Sequence, residues 1–200
     1  MDITVLLPAG RLPLDLMAKA HDVAEKYGLG IYLSTAQNLR LLDVPEECVD
    51  EVKKELSVVG ADFKGPGKFP LPRVCVGETH CKLGVIDTAE FSNHIMERFE
   101  GRPKTKPKFK IAVSGCVLCC SGVKTTDIGI NASRVGFDVY VGGKGGPNPK
   151  VGRRILHGVD EGTVLDAVEK IVEFHHTMSM QKQRMRKLID HSEFPYPNEV

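Results

Sequence analysis

The sequence predicts an α+β fold built from two successive units. Strand-like apolar runs alternate with amphipathic helical runs over about the first sixty residues. The Pro- and Gly-rich stretch KGPGKFPLPR, residues 64–73, interrupts this pattern and is typical of a linker. We therefore divide the chain into residues 1–65 and 66–200. The 200 residues, of which 42% are hydrophobic, are sufficient for two small packed cores.

The first unit is predicted to contain a strand, a helix, a second strand and a second helix. The first strand covers residues 3–7, and the helix covers residues 13–27 with Pro13 in its first turn. Residues 31–44, IYLSTAQNLRLLDV, are predicted to form one strand, after which Pro45 opens the second helix. The apolar helix faces consist of Met17, Ala20, Val23, Ala24 and Tyr27, and of Val49, Val52, Leu56 and Val59.

The second unit is predicted to alternate strands with two helices. Asp87 caps a helix over residues 88–100, whose buried stripe is Phe91, Ile95 and Phe99. Further strands are predicted at KFKIAVSG, DIGI and FDVYVGG. A long helix is predicted from Thr163 to Asp190, with its polar second half, MSMQKQRMRKLID, on the surface or against a partner. The tail SEFPYPNEV is predicted to be irregular.

Charge and composition narrow the class of protein. The net charge of +1 argues against a general nucleic-acid or membrane-surface binder. Apolar runs are too short to cross a bilayer, and the N-terminal sequence MDITVLLPAGRLP does not resemble a signal peptide. We therefore expect a cytoplasmic protein with no membrane or nucleic-acid partner. Six cysteines in such a chain indicate metal or redox chemistry rather than a secreted disulfide scaffold.

Four of the cysteines form two spaced pairs. Cys75 and Cys81 are separated by five residues, and Cys116 and Cys120 by three. Structural zinc sites usually have shorter spacings, whereas four thiolates from two loops suit an iron–sulfur cluster. A zinc-stabilised binding module and free buried thiols remain alternatives for these four. Free burial is the better interpretation of Cys48, and the role of Cys119 stays open.

The cysteine blocks carry a resemblance to a known family. CVGETHCKLGVIDT, followed by KFKIAVSGCVLCCSG and by the glycine-rich turn of FDVYVGGKGG, resembles the sulfite and nitrite reductase haemoproteins. YLSTAQNLRLLDV resembles the ferredoxin-like half-domain of the same family. The resemblance implies a ferredoxin-like half-domain over residues 1–65. It implies an α/β domain over residues 66–200 that binds sirohaem and a 4Fe–4S cluster, as in the low-molecular-weight assimilatory-type enzymes.

The resemblance also implies cofactor ligands and a reaction. Cys75, Cys81, Cys116 and Cys120 would bind the 4Fe–4S cluster, and Cys120 would also ligate the sirohaem iron. Sulfite would be reduced by six electrons to sulfide, with reduction of nitrite to ammonia as the alternative. The electrons would come from an external low-potential donor such as ferredoxin, because the sequence has no nucleotide-binding fingerprint. The rival from another class is a non-catalytic iron–sulfur carrier or subunit.

Cations are expected around an anionic substrate and a polycarboxylate cofactor. Lys108 and Lys110 alternate with Phe109, so they would share one strand face and bind the anion, as a K-x-K does in the family. Solvated basic residues are the alternative for both.

Leu6 and Ala36 stand where the larger enzymes have substrate arginines, so Arg73, Arg40 or a second subunit of a homo-oligomer would substitute. The sirohaem candidates are Arg11, Arg40, Arg73, Gly142, Gly143, Lys144, Arg153 and Arg154. Whether His80 tunes the cluster or only packs stays open.

Overall fold

A computed structural model describes residues 1–66, 68–100, 109–180 and 183–200. The chain divides into two compact units, Met1–Pro66 and Gly67–Val200. The basic loop around Lys104 and the residue Lys108 lie outside the described residues. Each unit is described separately below.

The first unit is an antiparallel sheet packed against two helices. Its elements are β1 (Ile3–Leu6), α1 (Leu14–Tyr27), β2 (Gly30–Leu33), β3 (Leu39–Leu42), α2 (Val49–Ser57) and β4 (Asp62–Phe63). The sheet order is β2-β3-β1-β4. Buried strand residues such as Val5 and Leu41 pack with Val23 of α1 and with Val52 and Leu56 of α2. The predicted apolar faces of both helices therefore contribute to this core, except that Met17 is half exposed and Leu16 beside it is buried instead.

The second strand of this unit differs from the prediction. Residues 31–44 form two strands, β2 and β3, which pair antiparallel with Ile31 opposite Leu41. The turn between them is closed by hydrogen bonds from Ser34 N to Asn38 O at 2.9 Å and from Gln37 N to Ser34 O at 2.9 Å. Gln37 takes a positive φ of 61°. The prediction of one strand was wrong because this turn contains neither Gly nor Pro, the usual signals of a reversal.

The second unit is a mixed five-stranded sheet with helices on one side. Its elements are β5 (Arg73–Val74), α3 (Thr88–Arg98), β6 (Ile111–Ser114), β7 (Ile128–Ser133), β8 (Gly136–Val141), β9 (Arg153–Val159) and α4 (Glu161–Met178). The order is β5-β6-β7-β8-β9. Strands β5, β6 and β7 are parallel, and β7, β8 and β9 are antiparallel. Asp87 caps α3 as predicted, by accepting hydrogen bonds from Ala89 N and Glu90 N.

The two faces of this sheet differ in chemistry. The strand register aligns Val74, Val113, Ile130 and Val139 on one face, which we call the core face. Stacking of Phe91 on Phe137, with ring centroids 5.0 Å apart, places α3 on that face. The other face, which we call the site face, carries two neighbouring rows of side chains. One row consists of Arg73, Ala112, Gly129 and Tyr140, and the next consists of Ser114, Asn131 and Asp138.

The C-terminal segment corrects the prediction of one long helix. Helix α4 ends at Met178 rather than Asp190, and Met185 and Ile189 beyond it are buried rather than on the surface. The buried carboxylate of Asp127 is the physical reason. Its Oδ1 accepts hydrogen bonds from Arg184 Nε at 2.8 Å and Met185 N at 3.0 Å. These bonds turn the chain back onto the sheet, so its apolar residues reach the core.

Asp127 also fixes the start of β6, because its Oδ2 accepts from Lys110 N at 3.1 Å. Burial raises the pKa of this carboxyl, and the hydrogen bond from Arg184 opposes the rise.

We expect Asp127→Ala to lower the free energy of unfolding by about 3 kcal/mol, because buried N–H donors and a guanidinium lose their acceptor. Urea denaturation followed by circular dichroism measures this. Asp166→Ala is the control, since Asp166 forms a solvent-exposed pair with Arg98, and exposed ion pairs contribute little to stability. Equal losses for both variants would contradict the anchoring role.

Among the helices that the structure describes, none is both long enough and apolar enough to cross a membrane.

Candidate functional site

Two cysteine-bearing loops leave the same edge of the second sheet. We call residues 75–86, which follow β5, the first cysteine loop, and residues 115–126, which follow β6, the second cysteine loop. Strands β5 and β6 are parallel neighbours, with Val74 opposite Val113. Because the carboxyl ends of parallel strands meet at one edge, both loops begin side by side. All six cysteines are free.

Hydrogen bonds join the two loops directly. Gly115 N donates to the sulfur of Cys75 at 3.1 Å, and Val85 N donates to Gly115 O at 2.8 Å. A Cβ at Gly115 would lie 3.0 Å from Thr88 Cγ2 and 3.2 Å from Gly77 Cα. Glycine therefore permits the loops to approach this closely. These contacts join the loop that carries Cys75 and Cys81 to the loop that carries Cys116 and Cys120.

The first cysteine loop is folded tightly upon itself. Glu78 N donates to Ile86 O at 2.8 Å, and Gly84 N donates to Cys81 O at 2.9 Å. A Cβ at Gly84 would stand 2.4 Å from Glu78 N, which only glycine avoids. His80 is exposed in this loop. The turn thus fixes the backbone on both sides of Cys81.

The second cysteine loop is attached to the sheet through serines. Ser121 Oγ donates to Val113 O at 2.8 Å, and Ser121 N donates to Ser114 Oγ at 3.2 Å. Farther on, Val123 O lies only 1.9 Å from the position that a Cβ on Gly129 would occupy. The loop therefore lies flat on the site face of the sheet. The sequence signal for this arrangement is the run of small residues around the cysteines, SGCVLCCSG.

The neighbouring residues Cys119 and Cys120 have different surroundings. Cys119 has a positive φ of 57°, and its sulfur lies within hydrogen-bonding distance of Val117 O at 3.4 Å and Asn131 Oδ1 at 3.5 Å. Burial raises the pKa of the Cys119 thiol, which favours the protonated donor. Cys120 is instead the exposed cysteine of the chain. These surroundings favour Cys120 over Cys119 as a ligand.

Exposed apolar side chains flank the cysteines. Four large ones are more than half exposed: Val76 at 54%, Leu83 at 58%, Val117 at 65% and Leu118 at 61%. Each cysteine loop contributes two of them. Such a group of exposed apolar residues is typical of a surface that a ligand or partner covers. A bulky cofactor beside the cysteines fits this surface.

Lys110, one of the two predicted anion-binding lysines, lies at the other end of β6 from the cysteine loops. Lys108 is outside the described residues, and Lys110 is exposed just before the strand, which begins only at Ile111. Phe109, Ile111 and Val113 are buried as predicted, but Ala112 is buried too, because both faces of β6 are covered. At about 3.3 Å per residue, Lys110 lies roughly 20 Å from Cys116 along the strand. The structure does not bring Lys110 to the cysteine loops.

Arg73 is the predicted cation that lies beside the cysteine loops. It is half-buried on the site face, and its Nη2 donates to Thr126 Oγ1 at 3.3 Å. Its Nε is buried without a hydrogen-bond partner among the residues described. Burial lowers the pKa of this guanidinium.

The remaining predicted sirohaem contacts are engaged elsewhere. Arg153 donates to Ile189 O at 3.2 Å and to Pro197 O at 2.9 Å, and it pairs with Asp190. Arg154 donates to Val200 O at 2.6 Å and lies 3.6 Å from Asp138. Both arginines therefore attach the C-terminal segment to the sheet.

The glycine-rich turn after β8 is also explained by contacts within the chain. A Cβ at Gly142 would lie 2.6 Å from Ile189 Cγ2, and one at Gly143 would lie 2.5 Å from Lys124 O. These close contacts within the chain are sufficient to explain why both positions are occupied by glycine. Lys144 beside them is exposed.

Two predicted arginines belong to the first unit. Arg11 is exposed there, and Arg40 of β3 forms an ion pair with Asp2, which precedes the neighbouring strand β1.

In the described part of the chain, no three His, Cys, Asp or Glu side chains are arranged to hold one metal ion. A 4Fe–4S cluster requires a different arrangement of ligands, because each of its irons binds a separate cysteine. The four thiols on two joined loops, the apolar surface around them and the unpartnered Arg73 Nε fit such a cluster with a bulky cofactor beside it.

The chain matches two protein-family models in succession. Residues 3–59 match the nitrite/sulfite reductase ferredoxin-like half domain. Residues 71–193 match the nitrite and sulphite reductase 4Fe-4S domain. This match covers more than half of the chain.

Curated relatives carry both reductase names. The chain is 27% identical over 186 residues to an NAD(P)H nitrite reductase of Emericella nidulans, covering 92% of this chain and 17% of that protein. It is 25% identical over 185 residues to an assimilatory-type sulfite reductase of Nitratidesulfovibrio vulgaris, covering 92% of this chain and 84% of that protein. The large subunit of the Klebsiella oxytoca NAD(P)H nitrite reductase is 27% identical, with 20% of its length covered. The chain thus spans a fifth or less of these nitrite reductases.

Solved structures share the fold. The Mycobacterium tuberculosis NirA protein superposes with a TM-score of 0.77 at 21% identity, covering 96% of this chain and 38% of that one. Dissimilatory sulfite reductase I superposes with a TM-score of 0.75 at 12% identity, covering 92% of this chain and 65% of that one. The predicted α+β architecture, with a ferredoxin-like half-domain in front of the second domain, is confirmed.

Proposed function

Because the chain belongs to the nitrite and sulphite reductase 4Fe–4S domain family, whose cofactors are a 4Fe–4S cluster and sirohaem, we propose that it reduces sulfite to sulfide. The observation that carries this proposal is the direct joining of two loops that bear free cysteines, through Gly115 N and Cys75 Sγ at 3.1 Å. When bound, the cluster stores electrons and the sirohaem iron offers the anion an open coordination position.

The cysteines of the two loops would hold the cofactors. We assign Cys75 and Cys81 from the first loop, and Cys116 and Cys120 from the second, to the cluster. Cys120 would also ligate the sirohaem iron, because it is the exposed cysteine, whereas the Cys119 thiol is within hydrogen-bonding distance of Val117 O and Asn131 Oδ1. The exposed apolar side chains beside them, such as Leu118, would exclude water from the cofactors.

The anion needs cations, since it arrives negative and loses its oxygen as water. Lys108 and Lys110 remain proposed ligands for it. Lys110 lies roughly 20 Å from Cys116 along β6, so its binding to an anion at the cofactors requires one of two arrangements. Either the cofactor extends along the sheet to the lysines, or a second copy of the chain presents its own lysines to the site.

Sulfite is proposed ahead of nitrite because the cysteine blocks resemble those of the low-molecular-weight assimilatory-type sulfite reductases. Such an enzyme of Nitratidesulfovibrio vulgaris is 25% identical over 92% of this chain. Reduction of nitrite to ammonia at the same site is the alternative. We propose an external low-potential donor such as ferredoxin and a cytoplasmic location, where free cysteines stay reduced.

Turnover of each anion by anaerobically purified protein tests this proposal. With reduced methyl viologen as the electron donor, we expect sulfide to form from sulfite with a higher kcat/KM than ammonia from nitrite. The reverse order would favour the nitrite alternative. If protein that contains both cofactors consumes neither anion, the chain is better described as an iron–sulfur electron carrier or subunit.

A further inference from the structure

Arg73 and Cys75 project from the same side of one strand. They are two residues apart on an extended chain, and pairing continues to Cys75, whose N donates to Val113 O at 3.3 Å. Side chains two residues apart on a strand share a face. The guanidinium and the thiol therefore both lie on the site face of the sheet.

The guanidinium of Arg73 also reaches the second cysteine loop. Its Nη2 donates to Thr126 Oγ1 at 3.3 Å, and Thr126 Oγ1 donates to Gly122 O at 2.9 Å. The same Nη2 lies 3.0 Å from the position of a Cβ on Gly122. Gly122 follows Cys120 by two residues. Arg73 thus lies beneath the backbone that carries the second pair of cysteines.

The positive charge of Arg73 is not balanced by the protein itself. Among the described residues no carboxylate forms an ion pair with it, and its Nε is buried without a hydrogen-bond partner. A guanidinium has five N–H donors and stays protonated in proteins. A half-buried cation of this kind is costly unless an anionic group lies near it.

A cluster ligated by four thiolates would supply that negative charge, and it becomes more negative when it takes up an electron. We propose that Arg73 is the counter-charge of the 4Fe–4S cluster and that it raises the reduction potential by stabilising the reduced form. The net charge around a cluster is one of the determinants of its potential. This inference rests on the cofactors of the proposed function, and it gives Arg73 a different role from contact with the substrate anion.

The test is a redox titration of the complete, cofactor-loaded chain. The reduced cluster is quantified by electron paramagnetic resonance while dithionite supplies one electron per cluster. Arg73→Gln removes the charge, and Arg73→Lys retains it. We expect Arg73→Gln to disfavour the reduced cluster at least tenfold, which is a shift of about 59 mV to lower potential for a one-electron couple. Arg73→Lys should stay close to the wild-type potential.

Three results would overturn the inference. One is an unchanged potential in Arg73→Gln with loss of sirohaem absorbance, which would make Arg73 a ligand of the cofactor carboxylates. Another is an unchanged potential with a raised KM, which would make it a substrate ligand. Should Arg73→Gln fail to accumulate, Arg73→Lys decides the matter, because a large shift despite the retained charge also contradicts the inference. A wild-type protein without a cluster would refute the proposed function instead.

Discussion

Cys120→Ser is expected to remove both cofactors from the purified protein. Cys120 is the exposed cysteine of the second cysteine loop, and it is proposed to ligate the cluster and the sirohaem iron at once. A serine hydroxyl is a poor ligand for the soft iron–sulfur core, so the cluster would not be retained. Without that shared ligand, the tetrapyrrole would lose its attachment to the iron–sulfur site. Iron, acid-labile sulfide and visible absorbance should all fall to background.

The neighbouring cysteine provides a matched control. Cys119→Ser makes the same chemical change one residue away, and a serine hydroxyl can still donate to Asn131 Oδ1 in place of the thiol. We expect this variant to keep iron, sulfide and the sirohaem bands. If Cys119→Ser loses the cluster while Cys120→Ser retains it, the assignment of the ligand between these two residues is reversed.

Gly129→Ala is expected to lift the second cysteine loop from the sheet. A Cβ at this position in β7 would stand 1.9 Å from Val123 O and 2.5 Å from the Val123 carbonyl carbon. Backbone atoms cannot yield at so short a distance without movement of the loop, and overpacking of this kind costs typically about 1–3 kcal/mol or more. Because Cys116 and Cys120 belong to the same loop, cluster content should fall together with the melting temperature.

Gly65→Ala is the control for this change, since nothing lies within 4 Å of the added methyl group. Its cluster content and melting temperature should match those of the wild type. A Gly129→Ala protein with full iron and sulfide content would show that the position of the loop on the site face does not matter for the cluster.

The helices and the buried strands could be predicted because their signals are local. Asp87 begins α3, and the stripe of Phe91, Ile95 and Phe99 is buried as the 3.6-residue period predicts. The cysteine spacing likewise drew attention to two loops, which the structure joins at one edge of the second sheet. Strand β9 was missed because RRILHGV has few apolar residues and follows a turn rich in Gly and Pro.

Other features depend on partners distant in sequence. Asp127 contacts Arg184 across 57 positions, so no local pattern indicates that the chain turns back after α4. The sequence already placed Lys110 before β6 and Cys116 after it, so their separation followed from the extended chain. No local pattern showed that β5 and β6 are neighbours, which is what sets the two cysteine loops side by side. No sequence pattern indicates that Arg73 lacks an ion-pair partner among the described residues, because the fold decides which side chains surround it.

The most direct test of the account is the cofactor content of the wild-type chain after anaerobic purification. Iron and acid-labile sulfide are quantified on the same sample whose visible spectrum is recorded. We predict iron and sulfide in the ratio of a 4Fe–4S cluster plus one sirohaem iron, together with haem-like visible bands. Zinc in place of iron and sulfide, with no tetrapyrrole absorbance, would contradict the claim that the two cysteine loops enclose a cluster beside a sirohaem.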